Sequence, residues 1–319
     1  MSSDSQRRAD LVSVIVPLLN EEECIEQLVR RLVEVFEEES QHFELLLIDD
    51  GSSDTTPEKV AALASGDPRI KNVRFTRPFG HQAALLAGLR FASGDAVITM
   101  DGDLQHPPEL IPTLLQHWRD GADVVQALRQ DPEAAQGSLK SVSSVMFYKL
   151  INVLGGLSLP PGSADFRLLD RRAVRAISEC PEHFLFLRGL IPWLGFRTME
   201  VSYKPAVRFA GSSKFDLPRM VQLALSGVFA FSVVPLRLIT FLGLFTMIAG
   251  ICFGIFALIS QLAGATQSGW TSLTILILVF GGIQLLSLGI VSEYVGRTYE
   301  EAKRRPRYVI DRVQGLEWK

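Results

Sequence analysis

Between Leu238 and Ser292 the chain carries no Asp, Glu, Lys, Arg or His. A soluble core helix ends long before such a run does, whereas two membrane spans need roughly 20 apolar residues each, so this absence predicts an integral membrane protein. The connector inside the run, Ala263 to Trp270, also lacks Lys and Arg. Cysteine is scarce. The three present, Cys24, Cys180 and Cys252, have no metal-ligand spacing, and an odd count excludes a disulfide framework and suits a reducing compartment. No G-x-G-x-x-G follows the first strand-like run, where Pro17 and Asn20 stand instead, and no G-x-x-x-x-G-K-[ST] occurs anywhere. The dinucleotide fingerprint and the P-loop are thereby excluded. The opening MSSDSQRRAD has no apolar stretch, so no cleaved signal peptide is expected. A net charge of -3 leaves no basic surplus, and no nucleic-acid partner is expected.

What is present alternates. Leu11 to Pro17 reads as a strand, and Ile25, Leu28, Val29, Leu32, Val33 and Phe36 recur at helical spacing behind it. Phe43 to Ile48 is a second strand, Thr56 to Ala64 a helix, Val73 to Thr76 a strand, Gly80 to Ala92 a helix, and Ala122 to Ala127 a further strand. Strand, polar loop and helix in succession predict a parallel α/β sheet with right-handed crossovers.

The stretch Ala96 to Pro108, AVITMDGDLQHPP, is the one around which chemistry is expected. A short buried strand breaks into Asp101-Gly102-Asp103, then Gln105 and two prolines. Ligands of open α/β sheets sit outside the carboxyl ends of the strands. Two carboxylates there offer hard oxygen ligands for Mg2+ or Mn2+ and, through the metal, a diphosphate. Asp and Gly are also ordinary turn residues, and the tripeptide alone leaves both readings open. Glu21 and Asp50 also follow strands, so carboxylates recur at equivalent places in the topology.

Farther on, Lys140 and Ser144 lie four apart on a helix expected over Leu139 to Leu154. Gly155 to Arg167 is expected to be a Gly/Pro-rich loop carrying Asp165 and Arg167, as a local ion pair or as part of a site. Phe184 to Trp193 is apolar around Arg188 and is expected near the membrane, and Val201 to Val207 reads as a strand. Arg208 to Phe215 sets small residues between Arg208 and Lys214, a mobile loop able to close over an anion or a basic surface near acidic lipid.

The expected division is a flexible leader at 1–10, a cytoplasmic catalytic domain at 11–215 and a membrane-interface helix at 216–236. A transmembrane hairpin at 237–295 follows, with spans at about 238–262 and 273–292, and then a cytoplasmic tail at 296–319. Arg237 precedes the first span, and Arg297, Lys303, Arg304, Arg305 and Arg307 follow the second, so both ends are expected in the cytoplasm of a cell bounded by this inner, plasma membrane.

The segments SVIVPLLNEEE, LLLIDDGSSDTT, FGHQAALLAG, MDGDLQHPPE, SADFRLLDR, RFAGSSKF and EYVGRTYEEAKRRPRY, in this order, resemble the polyprenyl-phosphate glycosyltransferases of glycosyltransferase family 2. The likeness is greatest to the bacterial undecaprenyl-phosphate glucosyltransferases with two C-terminal spans, and dolichyl-phosphate mannose synthase is more distant. The resemblance runs from about Leu11 to Tyr308. It implies a mostly parallel, Rossmann-like nucleotide-sugar-binding domain of the GT-A type. It also implies a metal-dependent, inverting hexosyltransferase, with glucose from UDP-glucose first and mannose, N-acetylglucosamine or aminoarabinose as alternatives. Pro17, Leu19, Glu21, Ile48 and Asp50 would then line the nucleotide, with Gly102, Arg208 and Lys214 on the donor phosphates. Asp101, Asp103 and Gln105 would hold Mg2+ or Mn2+. Arg129, Lys140, Ser144 and Arg167 would face the acceptor phosphate, and Asp165 would join the catalytic group, favoured in an orienting role over that of a base. Leu19 departs from the aromatic of the mannose synthases, and Gly102 from the Ala of many relatives. The expected partners are a nucleotide sugar, polyprenyl phosphate, the bilayer and a possible second copy of the chain. A processive polysaccharide synthase would need a Gln-x-x-Arg-Trp motif, which is missing. A non-catalytic sensor would be expected to lack Asp103 or the Arg208 and Lys214 pair.

Overall fold

The computed structural model describes residues 7–130, 162–180, 182, 186–205, 232–263 and 269–316. In chain order the elements are β1 (Val12–Leu18), α1 (Ile25–Glu38), β2 (Phe43–Asp49), α2 (Thr56–Gly66), β3 (Ile70–Phe75), α3 (His81–Phe91) and β4 (Ala96–Thr99). They continue with α4 (Ile111–Arg119), β5 (Val124–Arg129), β6 (Ser163–Asp170), α5 (Arg171–Glu179), α6 (Leu187–Trp193) and β7 (Thr198–Tyr203). Two long helices, α7 (Val234–Leu262) and α8 (Trp270–Ala302), and a last strand β8 (Ile310–Gln314) complete the order.

The eight strands among the described residues form one sheet, β7-β5-β6-β4-β1-β2-β3-β8. Pairs β1–β2, β1–β4, β2–β3 and β5–β7 are parallel, while β6 and β8 run against their neighbours. A sheet covered on both faces needs strands apolar on both sides, and β1 is buried at every position. Val12, Val14 and Val16 of β1 pack with α1 and α4 on one face, and Ile15 packs with α3 on the other.

The register opens a crevice. β1 pairs with β4 only from Val12 to Ile15, opposite Ala96 to Thr99, but continues along β2 as far as Leu18 opposite Asp49. Beyond Thr99 the chain leaves β1, which is why Pro17, with no amide hydrogen to give, is tolerated in a central strand. Because the strand order diverges from β1 in both directions, this crevice is the topological switch point.

Three expectations change here. Asp165 and Arg167 do not lie on a loop: Gly and Pro punctuation ends at Gly162, and Ser163–Asp170 forms β6 between β4 and β5. Polar residues on a central strand hid it, because a run containing Asp and Arg does not read as buried unless the two pair with each other. The apolar stretch read as near the membrane buries Leu187, Leu190 and Ile191 of α6 in the core beside α3 and α5. The strand expected from Val201 to Val207 is Thr198–Tyr203. The expected helix over 139–154 lies outside the described residues, as does the one over 216–236 as far as residue 231, while Val234 to Leu236 belong to α7.

Residues 7–10, placed by the sequence in a leader, are tied to the sheet. Arg7 donates to the Ala122 carbonyl at 2.8 Å and pairs with Asp123 at 2.9 Å, and the Asp10 amide donates to Asp95. Helices α7 and α8 are long and apolar enough to cross a membrane, at Val234–Phe256 and Val279–Ala302. The tail returns to the sheet, where β8 caps the edge of β3.

Candidate active site

At the carboxyl end of β4 the chain turns through Asp101, Gly102 and Asp103, with Leu104 in the left-handed region at φ 61° and buried. A branched side chain rarely adopts that conformation, and here Leu104 anchors the turn in the core while the flanking carboxylates stay at the crevice. Gly102 lies against the end of β1. A Cβ there would stand 2.8 Å from Leu18 Cδ2 and 3.4 Å from the Pro17 carbonyl.

Two histidines frame Asp101. Its backbone amide donates to His106 Nδ1 at 3.0 Å, which assigns that ring's proton to Nε2, 3.6 Å from Asp101 Oδ2. His106 is buried, stacked on Phe166 at 5.1 Å, and burial pushes its pKa down although the nearby carboxylates oppose this. His81, the first residue of α3, sets Nε2 3.5 Å from Asp101 Oδ1 and 3.4 Å from Asp165 Oδ2. Burial alone would lower its pKa, but Asp165 and Asp101 raise it.

Asp165 is buried on β6 and saturated. Its Oδ1 accepts from Arg167 Nη2 at 2.7 Å, and its Oδ2 from Arg188 Nη2 at 2.8 Å and Arg188 Nε at 3.2 Å. Burial would raise its pKa, but Arg188, His81 and Arg167 together hold it well below the usual carboxylate range. Such a group is a poor proton acceptor and a good anchor. Arg167, 3 % exposed, gives its other contact to the Ala164 carbonyl. Its guanidinium is enclosed, not presented to an acceptor.

On the other side of the turn, the Gln105 amide donates to Asp103 Oδ1 at 3.1 Å, and the Gln105 side-chain oxygen accepts from Arg129 Nη1 at 2.9 Å. Gln105 therefore links the turn to the end of β5. The nucleotide expectations divide. Leu19 is exposed, but Ile48 is fully buried among the core side chains under α3. Asp50 spends both oxygens on the loop before α3, accepting from the Phe79 amide at 2.6 Å and the Gly80 amide at 2.9 Å. Burial raises its pKa and these two amides partly offset it. Glu21 sits where the β1–α1 and β2–α2 loops are cross-linked, its amide donating to Thr56 Oγ1 at 2.9 Å. Lys140, Ser144, Arg208 and Lys214 lie outside the described residues.

The sequence reading assigned no role to His81, His106 or Arg188. The available signal was position. His81 and His106 fall just after the ends of β3 and β4, and Arg188 is the one charge in FLFLRGLIPW.

Asp101 Oδ1 is buried and has no hydrogen-bond partner. His81 Nε2 stands near it at 3.5 Å, and a carboxylate oxygen that makes no hydrogen bond is open to a hard divalent cation. Among the described residues no three His, Cys, Asp or Glu close a complete cage. Mg2+ commonly takes one or two carboxylates and leaves its remaining positions to water and phosphate oxygens.

The family model "Glycosyl transferase family 2" matches residues 13–178, more than half of the chain and all of the crevice up to β6. The chain belongs to glycosyltransferase family 2. An uncharacterized glycosyltransferase from Synechocystis sp. is 38% identical over 96% of this chain and 96% of its own. The bactoprenol glucosyl transferase of Shigella phage SfV is 42% identical over 94% of this chain and 97% of its own. Among solved structures, mannosyl-3-phosphoglycerate synthase from Rubrobacter xylanophilus aligns at a TM-score of 0.48 and 17% identity, over 68% of this chain and 71% of that one. The chain has a mixed sheet of the GT-A type, with Asp101-Gly102-Asp103 at its switch point.

Proposed function

We propose that this glycosyltransferase moves a hexosyl group, glucose from UDP-glucose first among the candidates, onto undecaprenyl phosphate with inversion of the anomeric centre. The acceptor assignment draws on end-to-end similarity to a relative named for bactoprenol glucosyl transfer. The observation that carries it is the saturation of Asp165 by Arg167 and Arg188. An alcohol acceptor must lose a proton as it attacks and needs a base beside it. Asp165 is fully ion-paired and held well below the usual carboxylate range, which makes it a poor proton acceptor. A phosphate monoester, with a second pKa of about 6, arrives mostly deprotonated at neutral pH and needs positive charge instead.

Arg129 supplies that charge at the end of β5, and Lys140 and Ser144 are the proposed additions to it. Arg208 and Lys214 are the proposed clamp on the donor phosphates. Asp101 and Asp103 would hold Mg2+ or Mn2+, which when bound neutralises charge on the leaving diphosphate. Asp165 acts as a positioning residue, holding His81 and Arg188 at the rim of the crevice. The nucleoside is assigned to the loops after β1 and β2, around Leu19 and Glu21.

The hairpin α7–α8 is proposed to cross the inner membrane, with 216–236 in the interface and both ends in the cytoplasm. Helix α8 has 33 residues, about 50 Å at 1.5 Å per residue, so it is longer than a hydrocarbon core of about 30 Å. Because β8 is hydrogen-bonded to β3, the tail and the catalytic sheet share one side of any membrane the hairpin crosses.

Membranes containing the protein, given a panel of radiolabelled nucleotide sugars, should label undecaprenyl phosphate and leave the free alcohol unlabelled. An α-linked donor should yield a β-linked product. Efficient labelling of the alcohol, or a retained anomer, would overturn the mechanism.

A further inference from the structure

We infer that β8 and the connector before it form a strap that fixes the height of the active site above the bilayer, an inference that rests on the membrane-lipid acceptor proposed above. Only seven residues, Lys303 to Val309, separate the end of α8 from β8. Fully extended they reach about 25 Å. Four of the seven, Lys303, Arg304, Arg305 and Arg307, are cationic, the composition that settles at anionic headgroups.

The connector is tied to its helix at one end and to the catalytic domain at Arg307 and Tyr308. Lys303 sits 4.2 Å from the Tyr299 ring. Arg307 donates to the carbonyls of Cys180 at 2.8 Å and Glu182 at 2.5 Å, behind α5. Tyr308 stacks on Phe75 with ring centroids 4.9 Å apart and planes 8° from parallel. From there Ile310 to Gln314 pairs antiparallel with β3, and Gln314 donates to Ser65 Oγ at 2.9 Å. At the other end, Tyr294 of α8 donates its hydroxyl to the Ser232 carbonyl at 2.6 Å, just ahead of α7, which holds the base of the hairpin together.

The strap ends beside the chemistry. Phe75 closes β3 and meets Phe79 edge to face at 5.8 Å. Phe79 gives its amide to Asp50, and two residues later His81 faces Asp101 and Asp165. A long helix, a connector of seven residues tied down at Arg307 and Tyr308, and a hydrogen-bonded strand thus lead from the proposed membrane span to within one loop of the site. Capping the edge strand alone would have needed neither the Tyr308 stack nor the Arg307 bonds.

The test compares two acceptors in the full-length protein: undecaprenyl phosphate in liposomes and a short-chain, water-soluble isoprenyl phosphate. Inserting a flexible stretch of about six Gly and Ser residues between Arg304 and Arg305 leaves every strap contact beyond it intact while releasing the height. Transfer to the liposome acceptor should fall about ten-fold or more in kcat/KM, because a loosened tether lowers the effective concentration of the site at the surface, while the soluble acceptor is used at the parent rate. Tyr308→Ala, which keeps the length, should lower liposome transfer in the same selective way. Equal rates with the liposome acceptor, or equal losses with both acceptors, would overturn the strap. A parent protein that glycosylates neither phosphate overturns the functional reading instead.

Discussion

Asp165→Asn separates a carboxylate that positions from one that takes a proton. In the folded protein Asp165 and Arg167 are 2 % and 3 % exposed and pair at 2.7 Å, with Arg188 as the second cation. Neutralising one partner of a buried pair leaves the other charge uncompensated, which costs about 3–5 kcal/mol. In a catalytic domain of this size each kcal/mol lowers Tm by about 2–4 °C, so the expected fall is roughly 6–20 °C. The carboxyl is held well below its ordinary pKa by Arg188, His81 and Arg167 against the opposing effect of burial. The unfolded chain therefore binds more protons in mild acid. This contribution to stability is complete above the ordinary Asp pKa of about 3.9 and is lost as pH falls through the lower folded value. The Asn variant should lack that acid-side loss. Arg167→Met in the same chain should restore part of the Tm, since it removes the stranded charge. Transfer should drop about a hundred-fold through misplacement of His81 and Arg188, yet the residual activity should keep the parent pH profile, with an acid limb at about pH 6 set by the acceptor phosphate. The assays are thermal unfolding in detergent at several pH values and pH–rate profiles of both proteins. A parental Tm, or an acid limb that vanishes in the variant, would refute the reasoning and make Asp165 the base.

Asp103→Ala should abolish transfer at every Mg2+ or Mn2+ concentration while the Tm holds, and full activity of that variant, or of the parent in EDTA, would exclude the proposed metal site. Gly51→Ala should destabilise by about 1–3 kcal/mol or more in a denaturant titration, because φ is 71° and a Cβ would stand 2.6 Å from the Arg77 carbonyl carbon; an unchanged midpoint would contradict the turn geometry. Cysteines introduced by Thr266→Cys and Lys319→Cys should react with impermeant reagents from opposite faces of sealed vesicles, and reaction from one face alone would exclude the hairpin.

Periodicity was enough for the first half of the sheet. The apolar runs of β1 and β2, the amphipathic α1 and the polar ends of the strands follow from local pattern, because each element buries its own stripe against its neighbour. The missing charges between Leu238 and Ser292 marked α7 and α8 for the same reason, and the order of motifs pointed to the family. Long-range pairing decided the remainder. β6 was unreadable because its Asp165 and Arg167 make sense inside a sheet only once they neutralise each other and Arg188, which is distant in sequence, joins them. β8, with two charges in IDRVQ, is a strand only because β3 has an open edge beside it. Pattern did not show that Asp50 would accept from the Phe79 and Gly80 amides, or Gln105 from Arg129, across separate loops. Sequence fixes which donors and acceptors exist at a strand end. Only the packing of loops from separate crossovers determines which of them are already satisfied, and Asp101 Oδ1, buried with His81 Nε2 at 3.5 Å, is one that packing leaves without a hydrogen bond.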